Sequence, residues 1–163
     1  MRRKEREVLD NNKINEIILS CDCCRIGLNT DKAPYIVPLN FGYETINNIP
    51  TFYFHGAKEG RKMALIHENP FVGFELDTNG EVVGEGAACE YSYYYQSVIG
   101  TGKITIVDDL SEKLTAFQLI MKHYTKKEHW DIPESALQAT TILKLEADEM
   151  SCKEHTEEQG KSV

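Results

Sequence analysis

The chain has no run approaching the roughly 20 consecutive apolar residues that a membrane-spanning helix needs, so no membrane partner is expected. It also lacks an excess of positive charge. Its 18 Lys and Arg are outnumbered by 26 Asp and Glu, which gives a net charge of −8 and a pI near 5.1. A dedicated nucleic-acid binder would carry a basic face, so no nucleic-acid partner is expected. The opening residues, Met1 to Glu7, are mostly charged and no apolar stretch follows them. That pattern predicts no secretory leader and a cytoplasmic location. The five cysteines are an odd number, which a complete disulfide framework does not accommodate; reduced thiols are expected. Internal repeats and low-complexity tracts are absent, and no arginine follows Arg61.

What is present is the composition of a folded domain. Apolar residues make up 41% of 163 residues, enough to bury a core without disulfide or metal staples. One domain is expected over residues 1–150, with an acidic, flexible tail over 151–163. Ile14, Ile17, Ile18 and Cys21 recur at helical spacing, which predicts a helix over 12–20. Cys24, Ile26 and Leu28 alternate with polar or small residues, and Phe71–Asp77 alternates likewise; both read as strands. Pro34–Tyr43 reads as one extended apolar segment, and Ile49–Phe54 as a further strand. Residues 58–67 read as a helix ended by Asn69-Pro70. Asn79-Gly80 between strand-like runs predicts a tight hairpin. Tyr91–Asp108 reads as a long strand region and Thr140–Met150 as a last strand. Asp109 and Glu112 can form a reciprocal capping box for a helix that ends near Tyr124, with Leu114, Phe117, Met121 and Tyr124 on one face. Helices do not alternate regularly with strands, so a doubly wound parallel sheet is disfavoured and a mostly antiparallel barrel with peripheral helices is expected.

One segment stands out chemically: His55-Gly-Ala-Lys58-Glu-Gly60-Arg61-Lys62. It lies where a strand ends and a helix begins. The first turn of a helix carries unpaired N–H groups and a partial positive charge, so acids are favoured there. Three cations in that place point to a bound anion. Arg61 offers a planar fork for a phosphate, and Lys58 and Lys62 offer point charges. The alternative is a solvated basic turn, with His55 a strand-end histidine. Pro38 is a second oddity, because a proline in an apolar strand removes a ladder bond. It marks either an edge strand or a strand covered by a flat ligand.

Pro34-Tyr-Ile-Val-Pro-Leu-Asn-Phe-Gly-Tyr43, the His55–Lys62 segment, Asn69-Pro70, Phe74-Glu-Leu-Asp77 and Ser97-Val-Ile-Gly-Thr-Gly102 together resemble the Nim-type nitroimidazole-resistance proteins. These belong to the wider pyridoxamine 5'-phosphate oxidase-like, FMN-binding split-barrel superfamily. The similarity runs from Arg2 to about Met150. It implies a mostly β fold, a six-stranded antiparallel split barrel with helices outside it. It also implies a homodimer with FMN at the subunit interface. The resemblance places Val37, Pro38, Leu39, Asn40 and Phe41 along the flavin ring, and His55, Lys58, Arg61 and Lys62 around its phosphate and ribityl chain. Ser97 and Val98 match a segment that reaches the flavin, and Trp130 matches a residue approaching the ring from the partner. His55 is the candidate catalytic residue, on the substrate side. The implied activity is an FMN-dependent oxidoreductase that passes electrons from NADH or NADPH to small nitroaromatic or quinone-like substrates. True pyridoxamine-phosphate oxidases carry a C-terminal arginine that grips the substrate phosphate. None follows Arg61 here, so vitamin B6 oxidation is disfavoured.

Three rival readings remain at this level. An FMN carrier or electron-transfer protein would have no substrate of its own. A haem-binding split barrel would use His55 or His123 as axial ligand. A zinc site could combine Cys21 and Cys24 with Cys152 and His155, but the second pair falls in the expected tail and no metal is assigned.

Overall fold

The computed structural model describes residues 3–78 and 80–156. In chain order its elements are β1 (Glu7–Val8), α1 (Asn11–Ser20), β2 (Cys24–Leu28), β3 (Tyr35–Leu39), β4 (Gly42–Ile46), β5 (Ile49–Gly56) and α2 (Arg61–Glu68). They continue with β6 (Phe71–Asp77), β7 (Glu81–Val83), β8 (Ser92–Val107), α3 (Leu110–Thr125), α4 (Glu134–Ala139) and β9 (Thr141–His155). The strands form one antiparallel path in the order β3-β2-β6-β8-β9-β5-β4.

That order explains the shape. The two ends of the path, β3 and β4, are consecutive in the chain, with only Asn40 and Phe41 between them. Three Cα steps span at most roughly 11 Å, so the sheet must roll until its two edges approach. β3 and β4 do not pair with each other, and the barrel stays split. The expected segment Pro34–Tyr43 is thus two strands at opposite edges. Counted as one bent strand, it makes the barrel six-stranded, as the mostly β split-barrel expectation has it.

Alternation fills the interior. Cys24, Ile26 and Leu28 on β2, Val72, Phe74 and Leu76 on β6, and Leu143 and Leu145 on β9 are all buried. Phe52 centres an aromatic cluster, with its ring centroid 5.9 Å from Phe41, 5.1 Å from Tyr43 and 5.2 Å from Phe74. Such pairs add about 0.5–1.5 kcal/mol each beyond the area they bury. α3 closes a second cluster of Tyr53, Val107, Ala116 and Ile142. Its buried residues are Ala116 and Ile120, whereas Leu114 and Tyr124 are exposed. The face read from the sequence is therefore displaced by about one residue. The close approach of α3 to β4 depends on Gly42, where an added Cβ would lie 2.7 Å from the Ile120 nitrogen.

Several expectations change. Asp109 caps α3 by accepting from the Glu112 N–H at 2.8 Å, but the Glu112 carboxylate turns to Lys144, 3.0 Å away, so the box is half formed. α2 begins at Arg61 rather than Lys58, because Gly60 at φ 125° cannot be helical. β6 and β7 make no hairpin. Both run antiparallel to the long β8, with Asp77 opposite Ser97 and Glu81 opposite Tyr94, and so run in the same direction. The chain reverses instead between β7 and β8, where Gly84 and Gly86 take φ 138° and 87°. Asn79 lies outside the described residues. The short α4 has no counterpart in the sequence reading. β9 extends to His155, so residues 151–155 are strand rather than tail. Cys152 and His155 are buried there, while Lys153 and Glu154 between them are half-buried, Glu154 accepting from Gln96 at 2.6 Å. At its end β9 takes β1 alongside, with Glu7 opposite Lys153 and Val8 opposite Cys152. The remaining expected tail, residues 157–163, lies outside the described residues.

Candidate functional site

The site is built at the end of β5 and the start of α2. β5 is held between β4 and β9, and its register puts His55 opposite Ile142 at the last rungs of the ladder. His55 is exposed there. The chain leaves through Gly56 and residues 57–60 and enters α2 at Arg61. Gly60 is the N-cap residue and contributes no side-chain bond; the first helical bond runs from Ala64 N–H to the Gly60 carbonyl at 3.0 Å. No acid lies in the first turn. The early N–H groups of α2 thus have no side-chain acceptor among the described residues.

Cations surround this uncapped turn. Arg61 is exposed, with its guanidinium carbon 4.3 Å from the centre of the Tyr35 ring. Lys62 is half-buried and folds back over the end of β5, where a Cβ on Gly56 would lie 3.0 Å from its Nζ. Burial holds the Lys62 amine below its ordinary pKa of 10.5. Lys58 is exposed. Among the described residues no carboxylate forms an ion pair with Lys58, Arg61 or Lys62. Arg25, Lys122 and Lys144, by contrast, each hold one or two carboxylates. Glu59 lies exposed in the same turn, yet on a chain of net charge −8 these unpaired cations beside unpaired N–H groups make an arrangement that suits an anion. A cavity of about 460 Å³ opens beside Arg61, walled by Tyr35 and the loop before it.

β3 runs past this corner. Among the described residues it pairs with β2 alone, so one side of its backbone is open, and Pro38 occupies an edge strand as its missing N–H requires. Val37 and Leu39 are half-buried, and Pro38 and Asn40 are exposed. Phe41 differs. Its ring is fully buried and lies 4.4 Å from His123, and its N–H donates to the Tyr124 hydroxyl at 3.1 Å. Phe41 is a core residue whose side chain is not available to a ligand, and Val98, also fully buried, is another.

Ser97 and Val98 lie apart from His55 along β8 within one chain. Ser97 pairs with Lys153 near the start of β8, whereas His55 is opposite Ile142, which pairs with Val107 at the end of β8. The intervening stretch of strand spans roughly 30 Å at about 3.3 Å per residue. His55, Lys58, Arg61, Lys62 and the Tyr35 end of β3 share one region, whereas the Leu39 end of β3 lies level with Val98, through Cys24 and Leu76.

Other candidates are engaged elsewhere. His123 bonds the Cys21 carbonyl through Nε2 at 2.9 Å. His155 is held between the Tyr93 carbonyl, 2.8 Å from Nδ1, and Arg6, 3.2 Å from Nε2. Arg6 has only donors, so it donates to Nε2 and Nδ1–H donates to Tyr93. Burial pushes the Cys21 thiol up to about 12 and that of Cys152 up to about 11, and raises that of Cys24. These are protonated core thiols at neutral pH. Trp130 is clamped by Gln118, which donates to its carbonyl at 2.6 Å and accepts from its N–H at 2.9 Å, while its indole N–H has no acceptor among the described residues. The sequence reading missed Tyr35 as a site residue. Its partner Arg61 is distant in sequence, and nothing in local spacing brings the two together. No helix is long and apolar enough to cross a membrane among the described residues.

A rolled antiparallel sheet left open between β3 and β4, with a cationic helix start beside the open edge, defines a split barrel. Residues 10–154 match the family model described as pyridoxamine 5'-phosphate oxidase, and the chain belongs to that family. The resemblance read from the motifs is borne out at structural level. The fold is similar to that of a candidate 5-nitroimidazole antibiotic resistance protein from Bacteroides thetaiotaomicron, with 32% identity, 90% of this chain and 85% of that chain covered, and a TM-score of 0.78. The flavocytochrome Anf3 from Azotobacter vinelandii shares the fold at 19% identity, 98% and 77% coverage and a TM-score of 0.78. So does an FAD- and haem-binding protein from Mycobacterium smegmatis, at 16% identity, 94% and 78% coverage and a TM-score of 0.72. No curated protein matches the chain.

Proposed function

We propose that the protein is a cytoplasmic, FMN-dependent oxidoreductase that reduces small nitroaromatic or quinone-like compounds with electrons from a reduced nicotinamide. The observation that carries this reading is the uncapped start of α2, where Lys58, Arg61 and Lys62 have no carboxylate partner among the described residues. Such a turn fits the phosphate of a mononucleotide. Family membership and the flavin-binding names of structural relatives support a flavin as its bearer, and the resistance-protein relative supports nitroaromatic substrates.

When bound, a flavin supplies electron transfer between a hydride donor and an acceptor. The chain's own residues supply position and charge. Lys58, Arg61, Lys62 and the first N–H groups of α2 hold the phosphate. The open backbone edge of Val37–Leu39 and the exposed Asn40 border the ring. His55, exposed at the end of β5, borders the substrate. Ser97 lies ten residues along β8 from the rung that leads to His55, and in this reading it reaches the α2 corner from a second copy of the chain, the working form being a homodimer.

The visible spectrum of purified protein, before and after addition of FMN, tests the cofactor. About one oxidised flavin per subunit is expected. Arg61→Ala should weaken FMN by roughly 10- to 100-fold, the value of a charged hydrogen-bonded contact, and leave riboflavin unaffected. Absence of flavin from both samples would sink the reading. Anaerobic reoxidation of the reduced protein by a nitroaromatic tests the reaction. A rate no faster than that of free reduced FMN would leave only a carrier.

A further inference from the structure

We propose that Tyr35 is a positioning residue for Arg61, holding the guanidinium by its face so that its rim of N–H donors points at the anion. The inference rests on the phosphate-binding reading of this site. Tyr35 opens β3, pairs with Leu28 and packs against the main core, so its ring is part of the rigid barrel. Arg61 lies over that ring at 4.3 Å.

The choice of partner matters. A guanidinium has a flat face and five in-plane N–H donors. A carboxylate would occupy the donors and neutralise the charge. That is the situation of Arg25, whose Nη1 donates to both Glu75 and Asp77. An aromatic ring engages only the face and leaves both donors and charge available. Arg61 is exposed and long, and without such a surface it would populate many rotamers that miss the site. Tyr35 therefore orders the arginine before the ligand arrives while taking none of its hydrogen bonds. The cavity of about 460 Å³ between Arg61 and the loop preceding Tyr35 leaves the outer side of the guanidinium open.

The test is a set of flavin-fluorescence titrations on full-length apoprotein. The variants are Tyr35→Leu, Tyr35→Phe, Arg61→Ala and the double variant Tyr35→Leu/Arg61→Ala. The probes are FMN and riboflavin, which differ only in the phosphate. Tyr35→Leu should weaken FMN about fivefold, the size of a partly exposed cation–π contact, and leave riboflavin unchanged. Tyr35→Phe should bind FMN nearly as the wild type does. With Arg61→Ala already present, Tyr35→Leu should cost nothing more. Equal loss of FMN and riboflavin, or an undiminished loss in the Arg61→Ala background, would show that Tyr35 only shapes the strand and would overturn the proposal. If Arg61→Ala weakens FMN and Tyr35→Leu does not, the positioning role alone fails. If wild-type protein binds FMN no tighter than riboflavin, the phosphate site itself fails, and the role of Tyr35 with it. Riboflavin affinity also serves as the check that each variant is folded.

Discussion

Lys62 is the cation at this site whose charge is costly to keep. Its stem lies against the end of β5, and burial lowers its pKa from 10.5. In the pH range just below that value the folded chain therefore holds fewer protons at this position than the unfolded chain. The contribution of Lys62 to stability rises with pH there, because the penalty of burying the charged amine is relieved as the amine deprotonates. A phosphate set against Nζ reverses the preference and restores the proton. Binding of FMN at alkaline pH should accordingly take up protons. Titration calorimetry in buffers of differing ionisation heat measures the uptake, and Lys62→Met should abolish it. Uptake that persists in the variant would assign the proton to another group. Arg61 cannot give this signal, since a guanidinium stays charged throughout.

At the scale of elements, position is set by backbone approaches as much as by side chains. α3 lies so close to β4 that a methyl group on Gly42 would meet both the backbone of α3 at Leu119 and Ile120 and the Leu119 Cβ. Gly42→Ala must push the helix outward at a cost of about 1–3 kcal/mol. Thermal unfolding should fall by several degrees, whereas an unchanged midpoint would mean that α3 adjusts freely. Much at this scale was legible in the sequence. β2 and β6 were readable because each has one wet and one dry face, and α3 because Asp109 is a strong cap. The Asn79-Gly80 signal misled, because a local turn preference carries no information about the long strand available to both flanking segments. The end of β9 was read as tail because Lys153 and Glu154 mask the burial of Cys152 and His155. The cationic turn was legible because its charges contradict the helix dipole. Tyr35 was not, since only the fold places it under Arg61. Phe41 and Val98 carry motif similarity but spend their side chains on the core.

At the scale of the whole molecule, the rung of Ser97 lies ten residues along β8 from that of Val107, which leads through Ile142 to His55. A twofold dimer would bring the α2 corner of one copy to the Ser97 region of the other. This makes a specific forecast for co-expressed variants. Arg61→Ala and a Ser97→Trp change each spoil both sites of their own homodimer. In a mixed dimer one site carries both changes and the other carries neither. About a quarter of all sites should recover FMN binding on random pairing. Absence of recovery would place both residues in the site of a single chain.

The pairing of β1 with the last residues of β9 has a consequence for how the chain can be rewired. Glu7 lies opposite Lys153, and Arg6 reaches the buried His155, so the first and last described strands are fastened at one corner. A short linker could join these segments and the backbone be reopened in the exposed reversal between β7 and β8, far along the chain from the cationic corner. The barrel path would survive such a circular permutation, because no pairing in it depends on which one of its connections is cut.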